Sequence, residues 1–228
     1  MNGFKMVVRN QNLFLQLNKQ YMTNYKDYGW ENVEFTYAHS YLLPAIMDML
    51  PKNGELILDV GCGNGAIANF LIKQGYQIYG TDASEKGIQL ANQINPGKFF
   101  LQDLSQDGLP AGMENMIFKT IISTEVIEHL YDPRKYISFC KDILTKSGGG
   151  NLIISTPYNG YFKNLAVAIL DGYDKHHTVL WDGGHVKFWS YKTIKALLKE
   201  FDIEITQFKG VGRMPYLWKS MIVNAKVK

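Results

Sequence analysis

Cysteine is scarce. The 228-residue chain has two, Cys62 and Cys140. One falls in a glycine-rich stretch and the other in a helical pattern, so no disulfide framework is read and a reducing, cytoplasmic setting is expected. No apolar run is long enough to span a bilayer as a helix. The opening MNGFKMVVRNQNLFLQLNKQ has charges and amides breaking its apolar residues, which makes it a poor signal peptide. Neither sign of charge dominates: 24 Lys and Arg stand against 21 Asp and Glu, a formal net charge of +3. That falls far short of a dedicated nucleic-acid binder, so DNA is not an expected partner and RNA is disfavoured. No internal repeat or low-complexity linker divides the chain. A hydrophobic content of 46% with 20% charged residues excludes a disordered polypeptide, and the length suits one domain with an appendage.

What is present is an alternation of strand-like and helix-like segments. LILDV (56–60), YQIYGTD (76–82), GKFFLQD (97–103), MIFKTIIST (116–124) and NLIISTP (151–157) read as strands. Helical patterns separate them: residues 65–74 ending near Gly75, SEKGIQLANQI with Ser84 as N-cap, and PRKYISFCKDILTK with Pro133 in its first turn. YKTIKALLKEF is a further helix, and IEITQFKG and LWKSMIVNAKV close the chain as strands. Strands alternating with helices imply βαβ units and a mainly parallel sheet covered on both faces. The link between the last two strands, VGRMPY, is too short for a helical crossover, so that pair is expected to be antiparallel. Ligands of such sheets bind beyond the carboxyl ends of the strands, so the residues after each strand are the ones to inspect.

The first of these ends is ELILDVGCGNGAIANF. Gly61, Gly63 and Ala66 fit a dinucleotide-binding fingerprint, with Asp82 near the expected distance of about 20 residues. Asp59 argues against it. A carboxylate two positions ahead of the loop repels a pyrophosphate and attracts a cation. S-adenosylmethionine carries an ammonium and a sulfonium and no phosphate. Gly61, Gly63 and Gly65 would let its methionine and ribose approach the chain. Asp82, followed by Ala83, would accept from the ribose hydroxyls. Asp103 would accept from the adenine amino group, with the Leu104 backbone reading the ring. Each Asp could separately cap a turn or helix; three at consecutive strand ends point to one ligand.

LDVGCGNG, GTDAS and LQDL resemble the cofactor motifs of class I S-adenosylmethionine-dependent methyltransferases, over roughly Leu56 to Thr156. The resemblance implies an α/β, Rossmann-like fold: a seven-stranded, mostly parallel sheet with an antiparallel last strand and helices on both faces. A second cluster follows the fourth strand, STEVIEHLYDP. If a helical turn starts there, Glu125, Glu128 and His129 come close enough for a hard or borderline divalent ion, with His185 of WDGGHVKFWS, or His176 or His177, as a further ligand. Dipole and capping chemistry at a helix start is the alternative. TEVIEHL with a later GGHVKFWS is similar to the ubiquinone-biosynthesis O-methyltransferases and to the small-RNA 3'-terminal ribose methyltransferases. That similarity implies Glu125, Glu128, His129 and His185 as ligands to magnesium or manganese, or His129 and His185 as general bases if not ligated.

Two regions lie outside the cofactor core. Residues 1–50 are read as an N-terminal helical cap, with an aromatic-rich part that is a substrate lid or a half-buried cover. Residues 51–228 form the methyltransferase domain, with an insertion at 157–190 whose length marks it for function. Phe162, Leu165, Ala166, Ile169 and Leu170 form one apolar helical face in that insertion. It is read as a lid or as a peripheral membrane contact. The expected reaction is methylation of a hydroxyl on a small phenolic, catechol-like or sugar acceptor. The alternatives are an RNA ribose methyltransferase, an N- or C-methyltransferase without metal, and a non-catalytic subunit that binds the cofactor.

Overall fold

The computed structural model describes residues 29–104, 108–177, 180–181 and 183–228. The part of the expected cap before Gly29 lies outside the described residues. Along the described chain the elements are α1 (His39–Met49), β1 (Leu56–Val60), α2 (Ala66–Lys73), β2 (Gln77–Asp82), α3 (Glu85–Ile94), β3 (Phe99–Leu101) and β4 (Thr120–Thr124). After a single 3₁₀ turn at Ile127–His129 come α4 (Pro133–Lys146), β5 (Gly150–Pro157), α5 (Tyr161–Ile169), α6 (Tyr173–His177), α7 (Tyr191–Lys199), β6 (Glu204–Val211) and β7 (Ser220–Val227).

The seven strands lie in the order β3-β2-β1-β4-β5-β7-β6. β1 pairs in parallel with β2 and β4, β2 with β3, and β4 with β5. β7 inserts antiparallel between β5 and β6. This is the seven-stranded Rossmann-like sheet expected, with the closing pair antiparallel. The order reverses between β1 and β4, the two central strands, so the crevice for a ligand opens there, beyond Val60 and Thr124.

Local chemistry fixes the elements that border this crevice. Gly75, at φ +91°, ends α2 with its N–H on the Ile72 carbonyl while Tyr76 N–H reaches Leu71. Ser84 caps α3 by accepting from Gly87 N–H, and Asp132 caps α4 ahead of Pro133. β4 starts at Thr120 rather than Met116, because the Pro110–Met116 stretch folds into consecutive turns, Met113 N–H to Pro110 and Met116 N–H to Met113. One core cluster packs α1, α2 and α3 on one face of the sheet, through residues such as Leu42, Ile46, Leu71 and Ala91. The other packs α4 and α7 on the opposite face, through Tyr136, Ile137, Leu144, Leu197 and Leu198. Both keep their apolar side chains behind the strands and leave the carboxyl ends for polar groups.

Candidate active site

A cleft of about 740 Å³ runs across the carboxyl ends of the central strands. All eight residues expected to hold the cofactor line it except Gly65: Asp59, Gly61, Gly63, Asp82, Ala83, Asp103 and Leu104. Gly65 lies behind the loop, where it starts α2 at φ +71° and an added Cβ would meet Ala91 Cβ at 2.5 Å. Gly61 (φ +76°) and Gly63 (φ +56°) are also left-handed; a side chain at the first would strike Val126, and at the second Trp30. The loop is held from the next strand. Thr81 carbonyl accepts from Gly61 and Cys62 N–H, and the Asp82 carboxylate accepts from Gly63 N–H and Ser84 N–H, both at 2.8 Å.

Asp59 is 2% exposed, and its Oδ1 is buried without a hydrogen-bond partner. Burial, reinforced by the Asp82 carboxylate, pushes its carboxyl up to about 8. A buried acid held largely protonated at neutral pH, with an oxygen still unsatisfied at the cleft wall, is a receptor for a positive charge. No cation of the described residues supplies one. Gln102, buried beside Asp103 in the same wall, also has an unpartnered oxygen, its Oε1, while its amide donates to the Gly108 carbonyl. Sequence reasoning passed over Gln102; its position at the end of β3 was the available signal.

At the other end of the cleft the structure brings together Glu128, His129 and His185, whose donor atoms all lie within 4.8 Å of one another. The insertion is pinned in place by backbone: the Glu128 carbonyl accepts from both Val186 and Lys187 N–H at 2.9 Å, and the Trp189 indole N–H reaches the Ile127 carbonyl. His185 is thereby laid against His129, ring centroids 5.0 Å apart. His129 Nδ1 lies 3.3 Å from the Gly184 carbonyl. A carbonyl only accepts, so Nδ1 carries the proton and Nε2, 3.9 Å from Glu128 Oε1, keeps its lone pair. Burial lowers both imidazoles, His185 to about 4, which keeps them neutral and able to donate lone pairs. Glu128 is 1% exposed; Thr156 Oγ1 donates to its Oε2, while its Oε1 has no partner.

Glu125 stands apart from this group. The backbone turns at Glu125 with φ +54°, so the helical turn starts two residues later and does not place it on a shared face with Glu128. Its carboxylate instead accepts from Ser155 Oγ (2.9 Å) and Ser220 Oγ (3.2 Å). Burial raises it to about 7 against those hydrogen bonds and the Lys163 charge. His176 and His177 contact each other, and His177 packs on Phe188, but neither joins the three-donor group.

Residues 35–207 match the family model for a methyltransferase domain. The chain belongs to the methyltransferase-domain family. A ubiquinone biosynthesis O-methyltransferase of Dinoroseobacter shibae is 30% identical over 71% of this chain and 64% of that protein. One of Cereibacter sphaeroides is 28% identical over 74% of this chain and 68% of its own. The match thus spans roughly two thirds of these relatives' length. The structure of magnesium protoporphyrin IX methyltransferase from Synechocystis PCC 6803, with bound SAH, superposes with a TM-score of 0.60 at 20% identity, over 98% of this chain and 100% of that one, and shares the fold. For a member of this family the donor is S-adenosylmethionine, and the acid-lined end of the cleft fits it. No helix of the described residues is long and apolar enough to cross a membrane.

Proposed function

We propose that this methyltransferase transfers its methyl group to a hydroxyl of a small, ring-bearing acceptor held at the Glu128–His129–His185 end of the cleft. The observation that carries the reading is that end itself: one buried carboxylate oxygen without a partner and two neutral imidazoles within 4.8 Å. The names of the similar O-methyltransferases support the same choice of acceptor atom.

S-adenosylmethionine supplies an electrophilic methyl on a sulfonium. In this chain Asp59 would take its ammonium, Asp82 its ribose hydroxyls, and Asp103 with Leu104 its adenine. The two-nitrogen, one-oxygen donor set suits a borderline or hard divalent ion such as magnesium or manganese, held by Glu128, His129 and His185. Such an ion supplies Lewis acidity that lowers the pKa of a hydroxyl. Glu125 supports the site from behind, its position set by Ser155 and Ser220. His129 Nε2 or His185 would take the hydroxyl proton where no ion is held. The remaining work is alignment: the cleft sets acceptor oxygen and methyl group in line and keeps water out. Residues 29–38 and the described part of the 157–190 insertion serve as walls and cover of the cleft, and a small-molecule acceptor accords with the near balance of basic and acidic residues.

The test is methyl transfer to a catechol probe, 3,4-dihydroxybenzoate, with and without manganese after chelation. The expected result is O-methylated product, falling at least 100-fold on chelation and in Glu128→Ala, and restored by added manganese in the wild type alone. Turnover that ignores both chelation and Glu128→Ala would overturn the metal-assisted reading.

A further inference from the structure

With Asp59 at the ammonium, Asp82 at the ribose and Asp103 at the adenine, one charged group of S-adenosylmethionine is left without a partner: its α-carboxylate. That group sits on the same carbon as the ammonium, so an anion arrives beside Asp59 and needs a donor there. The glycine loop has spent most of its donors. Gly61 and Cys62 N–H both go to the Thr81 carbonyl, Gly63 N–H to the Asp82 carboxylate, Gly65 N–H to the Cys62 carbonyl and Ala66 N–H to Asn64 Oδ1. Among the described residues no arginine lines the cleft. Its one lysine, Lys135, stands in the first turn of α4, on the face of the sheet opposite α1 and α2.

The segment before α1 brings a donor of its own. The Asn64 side-chain amide donates to the Asn32 and Glu34 carbonyls at 2.9 and 3.0 Å, which ties that segment to the glycine loop. His39 follows as the first residue of α1 and lines the same cleft. Its ring is fixed by a reciprocal pair: Thr36 N–H donates to His39 Nδ1 (3.2 Å), and His39 N–H donates to the Thr36 carbonyl (3.1 Å). Phe35 stands edge-on to the ring, centroids 5.5 Å apart, and leans in turn on Phe70 of α2. An amide N–H only donates, so Nδ1 is the bare nitrogen and the neutral ring carries its proton on Nε2. No acceptor of the described residues takes that proton. Burial lowers the imidazole to about 4, so the neutral form prevails at physiological pH.

We propose that His39 Nε2–H is the donor that receives the α-carboxylate of S-adenosylmethionine, closing the amino-acid end of the cofactor between the glycine loop and the start of α1. The assignment rests on the cofactor placement above, with the ammonium at Asp59. A hydrogen bond to a carboxylate is of the strong, charge-assisted kind, so the affinity for the cofactor depends on it.

The experiment is calorimetric titration of the full chain with two ligands that differ in the carboxylate alone: S-adenosylhomocysteine, and S-adenosyl-3-thiopropylamine, which keeps the ammonium and lacks the carboxylate. The wild type is expected to bind the first at least tenfold more tightly. His39→Asn keeps an acceptor for Thr36 N–H at the Nδ1 position and removes the outer donor. It is expected to lose at least tenfold in affinity for S-adenosylhomocysteine and less than about twofold for the amine, so that the preference for the carboxylate disappears. Three results would overturn the assignment: a wild type that binds the two ligands equally, a preference that survives in His39→Asn, or an equal loss for both ligands in that variant, which would make His39 only a prop of the turn at Thr36. A wild type that binds neither ligand would instead count against the cofactor placement itself.

Discussion

The smallest unit of the mechanism is one carboxyl group. Asp59 sits where the backbone leaves a central strand, and burial together with Asp82 keeps it protonated to about pH 8 in the ligand-free protein. A cationic ligand selects the ionised form, so binding releases a proton. S-adenosylhomocysteine affinity is therefore expected to tighten as pH rises from 6 to about 8. In Asp59→Asn it is expected to be at least tenfold weaker and nearly flat over that range, as titration calorimetry at several pH values would show. Gly63 makes a separate demand: its positive φ and its contact with Trp30 leave no room for a methyl group. Gly63→Ala is expected to destabilise the protein by about 1–3 kcal/mol, read as a lowered urea midpoint. Both residues were legible in the sequence, because a glycine run after a strand and an acid ahead of it are costly to a fold unless a ligand sits against them. Glu125 was less so. Its spacing from Glu128 fits a helical face, and only the left-handed turn at Glu125 shows that it looks toward Ser155 and Ser220 instead.

At the scale of elements, the sheet and its helices could be read from periodicity and capping residues, since Ser84, Pro133 and Gly75 each carry a local signal that does not depend on distant chain. The long-range ties could not. His185 reaches His129 because two backbone N–H groups of the insertion share the Glu128 carbonyl, and nothing in the residue types of Val186 and Lys187 announces it. Asn64 is a similar case. From inside the glycine loop its side chain donates to the Asn32 and Glu34 carbonyls at 2.9 and 3.0 Å, and its oxygen accepts from Ala66 N–H. It straps the segment before α1 to the cofactor loop, with Trp30 laid on Gly63 and Gly87. Asn64→Ala is expected to cost about 1–3 kcal/mol through the stranded carbonyls. It should also speed amide exchange in residues 29–38 while the sheet stays protected, so unchanged exchange there would rule out the strap.

For the whole molecule, the site sets the dependence of stability on pH. Asp59, Glu125 and Glu128 are all raised by burial, the first two to about 8 and 7, so the folded state holds protons that the unfolded chain has released. Stability from these groups is present at low pH and is lost as pH rises through the folded values. Four histidines, His39, His129, His176 and His185, are lowered by partial desolvation and act in the opposite direction below about 6.5. The two sets oppose each other in the acid range, and between about 6.5 and 8 the carboxylates dominate, with Lys163, lowered by burial to about 8, beginning to oppose them at the upper end. The ligand-free protein is expected to lose stability across that window in urea unfolding, and saturating S-adenosylhomocysteine to flatten the slope by ionising Asp59. A slope that stays the same in Asp59→Asn would detach the effect from the cofactor end.

The most direct measurement is a pair of calorimetric titrations at pH 7.5, one with S-adenosylhomocysteine and one with NAD. An acid-walled loop built to take a cationic ligand predicts one-to-one binding of the first, abolished in Asp82→Ala and weakened in Asp59→Asn, with no heat from the second. Saturable binding of NAD without binding of S-adenosylhomocysteine would contradict it.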